Sequence, residues 1–289
     1  MTFSAHLIAG DRLHLQHGPI DLVIGAEGRT GARQRAFEAA AHRFDGLLEE
    51  LVSELTELRR PMKSDAPLPV GETARRMDQA VRPHCSGFVT RMAAVAGSVA
   101  DTLLDAMRAA TPLERAYVNN GGDIALHLTA GARFTTAMMG HDGRDLGRIA
   151  LDAEQGVGGL ATSGRHGRSH SLGIADSVTV LAKNAAEADV AATLIANAVN
   201  LPGHPLVQRR PACDLDPDSD LGDRAVVTGV GELTGAEVDH ALSAGLGRAS
   251  SLRQHGSIVA AALFLRGESR VIGSGFGQIQ ASKRHLTNA

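Results

Sequence analysis

Cysteine is nearly missing from this chain. Its two residues, Cys85 and Cys213, lie far apart and neither has a partner at a metal-ligand spacing such as Cys-x-x-Cys, so they are expected to be unpaired thiols rather than a disulfide or zinc framework. Aromatic residues make up 3% of the chain, and the 29 Lys and Arg are balanced by 32 Asp and Glu. No stretch gathers basic residues with interleaved aromatics as a nucleic-acid stacking surface does, and no nucleic-acid partner is expected. Long apolar runs are also missing: no window approaches the roughly 20 residues that span a bilayer. The N-terminus has no basic start followed by an apolar stretch. A cytoplasmic protein with no membrane partner is the expectation.

What is present suits a packed core. The chain has 289 residues, of which 43% are hydrophobic, enough apolar surface for one sizeable domain. We expect a single domain over 1–289, with loops at 61–71 and 202–224, where Pro and then Pro, Asp and Arg dominate. Short apolar runs at 5–15 and 20–25 around His17-Gly18-Pro19 predict a β-hairpin. Phe37, Ala40, Phe44, Leu47, Leu51, Leu55 and Leu58 recur at three- and four-residue spacing, which predicts one amphipathic helix from about 33 to 60, stopped by Pro61. A short helix is expected at 72–82 and a buried one at 88–109, whose Gly97 allows a close approach.

After Pro112 the period changes to that of strands, at 115–119, 123–128, 133–139 and 148–151, separated by Gly-bearing turns. Another strand at 177–182 leads to an apolar helix at 186–199. A strand at 225–230, a helix near 235–253 and a hairpin turned by Arg266-Gly267-Glu268 complete the chain. No fixed-period repeat is visible. Strands and helices come in blocks, which predicts an α+β fold of antiparallel sheets with packed helices.

Three segments carry chemistry. Asn119-Asn120-Gly121-Gly122-Asp123 sits between two expected strands: paired glycines let backbone amides approach a ligand, while Asn and Asp can bind the polar edge of a heterocycle. The same residues are also ordinary hairpin-turn chemistry. The stretch from Gly158 through Ala161-Thr162-Ser163-Gly164-Arg165-His166-Gly167-Arg168-Ser169-His170 combines small residues with anion-binding and titratable side chains; it reads either as a ligand loop or as a solvated one. Asp189 and Thr193 stand four residues apart on one helical face. They can offer oxygen ligands to magnesium, or Asp189 can simply complement a helix dipole.

Taken in order, these segments resemble the ApbE family of flavin transferases, which move FMN from FAD onto proteins. Gly97-Ser98-Val99-Ala100-Asp101 matches its Gly-x-x-x-Asp helix, Asn120-Gly121-Gly122-Asp123 its Gly-Gly-Asp turn, and Thr162-Ser163-Gly164 its Thr-Ser-Gly segment. Ser177-Val178-Thr179-Val180 followed by Ala188-Asp189 and Thr193 matches its strand and its Ala-Asp-x-x-x-Thr metal motif. The resemblance implies an ApbE-like, T-fold-like architecture. It also implies magnesium at Asp189 and Thr193 beside a flavin pyrophosphate, and FAD or FMN against residues 119–123 and 162–165 with Arg168. Three departures point to a separate, UPF-type branch, the first being that the family's N-terminal Ser-x-Tyr and Asn signals for FAD are not recognisable here. Ala96 stands where transferases have Lys, and RHGRSHSLGIAD replaces a long insertion that ends in a catalytic His-Ile-Ile-Asp-Pro-x-Thr-Gly segment. His166 or His170 could then supply the acid or base. The expected function is binding of a flavin nucleotide or similar anionic planar small molecule, with magnesium-assisted group transfer. A non-catalytic binding protein, or an enzyme acting on a non-flavin heteroaromatic metabolite, stays open, as does a homo-oligomer built on the Ala-rich helices.

Overall fold

The computed structural model describes residues 3–167 and 169–277. Strands β1 (Ser4–Ile8), β2 (Arg12–His17) and β3 (Ile20–Glu27) open the chain as an antiparallel meander. The expected hairpin is therefore its β2–β3 part. The apolar run 5–15 is cut in two because Gly10 and Asp11 turn the chain with φ of 79° and 51°, and β1 lies almost wholly exposed at the sheet edge.

The helix expected over 33–60 is three helices: α1 (Ala32–Phe44), α2 (Leu47–Ser53) and α3 (Leu55–Leu58). Gly46 takes a left-handed φ of 78° and Glu54 leaves the helical region. The bends keep Leu47, Leu51 and Leu58 in the same core as Phe37 and Phe44, so the spacing reports the buried face but not a straight axis. Helix α4 (Glu72–Val81) matches the expected short helix. Helix α5 (Val95–Ala110) starts seven residues later than expected from 88, because an extended stretch and a 3-10 turn at Arg91–Ala94 carry the Thr90 and Arg91 side chains inward.

Strands β4 (Arg115–Asn120), β5 (Asp123–Leu128), β6 (Arg133–Met139) and β7 (Asp145–Asp152) follow, then β8 (Gly159–Ser163), β9 (Ser177–Ala182) and helix α6 (Ala185–Ala198). The loop expected at 202–224 holds strand β10 (Val207–Pro211) and helix α7 (Ala212–Leu215). Strand β11 (Ala225–Val230), helix α8 (Gly235–Gln254) and strands β12 (Ala260–Leu265) and β13 (Glu268–Ile272) close the described part. The turn between β12 and β13 is Arg266-Gly267, both at positive φ, the conformation that two-residue hairpins demand.

Among the described residues, nine strands form one antiparallel sheet in the order β1-β2-β3-β4-β5-β8-β9-β12-β13, while β6–β7 and β10–β11 are separate ribbons. The fold is α+β. One connection pattern occurs twice: β2-β3, helices, β4-β5, and then β8-β9, helices, β12-β13, with the same neighbour order in the sheet. Helices α1 and α5 pack on the first set, and α6 and α8 on the second, all against one face. On the other face the β6–β7 ribbon covers the second set through Phe134, Met138, Ile149 and Leu151. Strands β9 and β12 are buried on both faces as a result, which is why they read as continuous apolar runs without alternation.

Candidate functional site

Residues 119–123 form a two-residue hairpin between β4 and β5, with Asn120 opposite Asp123 and positive φ at Gly121 and Gly122. The Asn119 carboxamide oxygen accepts the Gly122 N–H at 2.9 Å. Strand alternation then sends neighbouring side chains to opposite faces. Asn119 faces the ribbon, where with Thr162, Ser163, Gly164, His166 and Thr179 it lines a cleft of about 350 Å³. Asn120 faces the helices, its amide donating to the Ala96 carbonyl at 3.1 Å. Asp123 also lies on the helix side, in a pocket of about 320 Å³ with His170, Asp189 and Thr193. The Thr162 N–H donates to the Asp123 carboxylate at 3.3 Å, tying the two sets together at one end of the sheet.

The expected 158–170 loop needs correction. Its first part is strand β8, and a Cβ on Gly158 or Gly159 would lie 2.2 Å from the Lys183 carbonyl or 2.1 Å from the Ala185 nitrogen. These glycines let β8 approach the start of α6; they do not open amides to an anion. Arg165 is likewise engaged by protein: its guanidinium donates twice to Asp176 Oδ1, at 3.0 and 2.7 Å, and it does not line the cleft. His166 and His170, read together from sequence, are parted by the sheet, one on the ribbon side and one on the helix side. Arg168 lies outside the described residues.

Helices α5 and α6 meet end to side. A Cβ on Gly97 would lie 2.3 Å from the Ala185 carbonyl, so only glycine allows this crossing. Each helix start is capped by the other helix. Asp101 in the second turn of α5 accepts the N–H groups of Ala185 and Ala186 at 3.0 and 2.9 Å, and Asp189 in the second turn of α6 accepts the Gly97 N–H at 3.0 Å. The helix-terminus role for Asp189 is thus real, but it is played on α5.

Burial pushes Asp123 up to about 7 against the Thr162 hydrogen bond. Burial also raises Asp189, followed by the charge of Asp123, while the Gly97 and Ala96 amides pull the other way. Among the described residues neither carboxylate has a cationic side chain paired with it. Burial thus biases both carboxyls toward the neutral form; with the Thr193 hydroxyl in the same pocket, they are oxygen groups that could serve a hard cation such as magnesium once deprotonated. The pocket's outer wall is the 216–221 segment, held by an ion pair of Arg59 with Asp218 at 3.8 Å, a hydrogen bond from Thr90 to Asp220, and Arg224 over the Phe88 ring.

With that geometry in view, the family model described as "AbpE bacteria" matches residues 4–271. The chain belongs to that family. A UPF0280 protein of Methanopyrus kandleri is 33% identical over 181 residues, covering 61% of this chain and 69% of the relative. Another, from Methanothermobacter thermautotrophicus, is 35% identical over 151 residues, or 51% of this chain and 55% of the relative. The chain thus spans about two thirds of the first and about half of the second. Among solved structures, the flavin transferase ApbE from Vibrio cholerae superposes with a TM-score of 0.46 at 12% identity, covering 94% of this chain and 98% of that one. The ApbE protein of Thermotoga maritima gives 0.42 at 12% identity, with 81% and 98% covered.

Sequence reading missed two residues of this neighbourhood and the contacts of a third. His141, in the β6–β7 turn, stacks on His166 with ring centroids 3.5 Å apart; in sequence it is one more polar residue in a Gly-rich turn. Asp176 lies 11 residues beyond Arg165, and nothing local predicts their pairing. Asp101 was legible as part of a motif, but its hydrogen bonds to α6 were not. No helix among the described residues is long and apolar enough to cross a membrane.

Proposed function

We propose that the chain binds a flavin nucleotide, or an anionic planar molecule of the same kind, at the sheet end flanked by the two hollows. The observation that carries this reading is the Asp123–Asp189 pair, two neighbouring carboxyls that share one pocket with the Thr193 hydroxyl and, among the described residues, have no cationic side chain paired with them, in a member of the AbpE family. Asp123, Asp189 and Thr193 would hold magnesium, with water and ligand phosphate filling the roughly six positions it takes. The metal would supply positive charge to offset the phosphates. The chain's own groups do the rest. Asn119, Thr162 and Thr179 offer hydrogen bonds to a heterocycle edge, and Ile124, Met138 and Leu160 offer an apolar wall for its face.

Asp189→Asn is the variant that tests this. Its remaining carbonyl oxygen can still accept the Gly97 N–H, so the cap survives while the charge is lost. Calorimetric titration with FMN is expected to show an affinity loss of about 10–100-fold in magnesium, the scale of a lost charge-assisted contact, and little change in chelator. An equal loss in chelator would return Asp189 to a purely structural role.

Flavin transfer is expected to be feeble or undetectable, because the His-Ile-Ile-Asp-Pro-x-Thr-Gly segment of transferases is absent from this sequence. The check is peptide-bound flavin fluorescence after incubation with FAD, magnesium and a Thr- or Ser-containing acceptor peptide. Strong labelling would show that another group does the work of that segment.

A further inference from the structure

The ribbon-side cleft has two imidazoles in its wall, and they come from different parts of the chain. His141 sits at the β6–β7 turn and His166 in the loop after β8; both line the cleft. Their rings lie 3.5 Å apart between centroids and within 9° of parallel. Behind them is Asp176. Its Oδ1 is 3.5 Å from His166 Nε2 and accepts both Arg165 hydrogen bonds, while its Oδ2 accepts the Arg266 backbone N–H at 2.6 Å. The carboxylate is therefore fixed from two sides and can in turn fix the ring of His166 through Nε2, leaving Nδ1 unclaimed by it. Thr162 and Thr179 hydroxyls, 2.9 Å apart, lie in the same wall.

We propose that His141 and His166 form a two-imidazole acid–base unit that exchanges a proton with an ionisable hydroxyl or ring N–H of a ligand seated in this cleft. The proposal rests on reading the cleft as a ligand site. In the forward step the ligand's O–H or N–H bond breaks, its electron pair stays on the ligand, and an N–H bond forms on a neutral imidazole. In the return step the imidazolium gives that proton to solvent or to a departing oxygen. Stacking makes the rings one unit. An imidazolium over a neutral ring is favourable, as for any cation over an aromatic face, but two imidazoliums at 3.5 Å repel, so a proton on one ring opposes a proton on the other.

The surroundings act in both directions. Burial lowers His166, Arg165 and His141 lower it further, and Asp176 raises it. On the ribbon tip Asp142, Arg144 and Asp145 face the adjoining hollow, Arg144 being tied to Asp142. An imidazole with a carboxylate behind it and a second ring stacked on it suits proton abstraction near neutral pH.

The experiment is an NMR titration of the imidazole resonances in the full chain, in wild type and in His141→Phe, which keeps a flat ring over His166 but removes the second titrating group. Coupling predicts that His166 titrates at higher pH in His141→Phe than in wild type. An unchanged midpoint overturns the proposal. FMN is then added, with calorimetry in parallel. Movement of both ring signals supports the unit as ligand-facing, and FMN bound without moving either overturns it. If calorimetry detects no FMN binding while the coupled titration persists, the flavin reading fails and the coupled pair stands.

Discussion

Replacing Arg91 by alanine is expected to destabilise the protein by about 3–5 kcal/mol, the cost of breaking a buried ion pair from one side. Arg91 is 1% exposed. Its guanidinium donates to Asp78 Oδ1 at 2.8 Å and to the carbonyls of Glu57 and Pro67 at 3.2 and 2.8 Å. Asp78 also holds Arg82, whose other donors reach the Ser64 and Ala66 carbonyls. The Pro-rich 61–71 stretch, expected as a loop, is thereby anchored by two guanidiniums on one buried carboxylate. Alanine would leave the Glu57 and Pro67 carbonyls without a donor and Asp78 with one partner in place of two. Urea denaturation of wild type, Arg91→Ala and the exposed control Arg29→Ala measures the loss. A change below about 1 kcal/mol for Arg91→Ala, the scale of surface pairs, would show that water or Arg82 makes good the contact.

The second large effect is at Asp101, and it depends on pH. Asp101→Ala is expected to cost about 1–3 kcal/mol for each of the two amides of α6 left without an acceptor. Asp101→Asn keeps one acceptor and loses part of that. Burial raises the Asp101 carboxyl to about 6, outweighing the two amide bonds. Its charged form is therefore penalised in the folded state. That penalty is full above about pH 6 and fades as the folded carboxyl takes up its proton. It is gone near the ordinary carboxylate value of about 4, where the unfolded chain is protonated too. Wild-type stability relative to Asp101→Asn should thus rise as pH falls from 7 to 4, by about 3 kcal/mol at about 1.4 kcal/mol per unit. Denaturation curves at pH 4.5, 6 and 7.5 would show it. A gap between the two proteins that is flat across this range would mean that the amides hold Asp101 ionised throughout.

The strands at 115–119, 123–128 and 133–139, the helices at 186–199 and near 235–253, and the last hairpin were legible because apolar periodicity and Gly-bearing turns act locally. Strand β8 was not, since Gly158 and Gly159 look like loop residues until α6 is packed against them. Strand β10 was hidden inside a polar stretch, where its pairing with β11 decides its conformation. Gly46 illustrates a third limit: the apolar spacing is continuous across it, and only its backbone angle bends the helix. The candidate site was legible as a neighbourhood, through the order of its motifs. Its division was not, because the choice between ribbon side and helix side at Asn119 and Asn120 turns on strand register, and the pairings of Arg165 with Asp176 and of His141 with His166 join segments with no local signal between them.

The exchange of caps between α5 and α6 has a bearing on how the chain loses its structure. Each of the two equivalent strand–helix–strand sets depends on the other for the acceptor at one helix start: Asp101 of the first serves Ala185 and Ala186 of the second, and Asp189 of the second serves Gly97 of the first. A fragment holding either set alone would carry an orphaned helix end at a close helix crossing, with the Gly97–Ala185 contact turned out to water. Fraying of one half therefore raises the free energy of the other, and the pair is expected to open as one cooperative unit, with the amides at the crossing itself among the best protected.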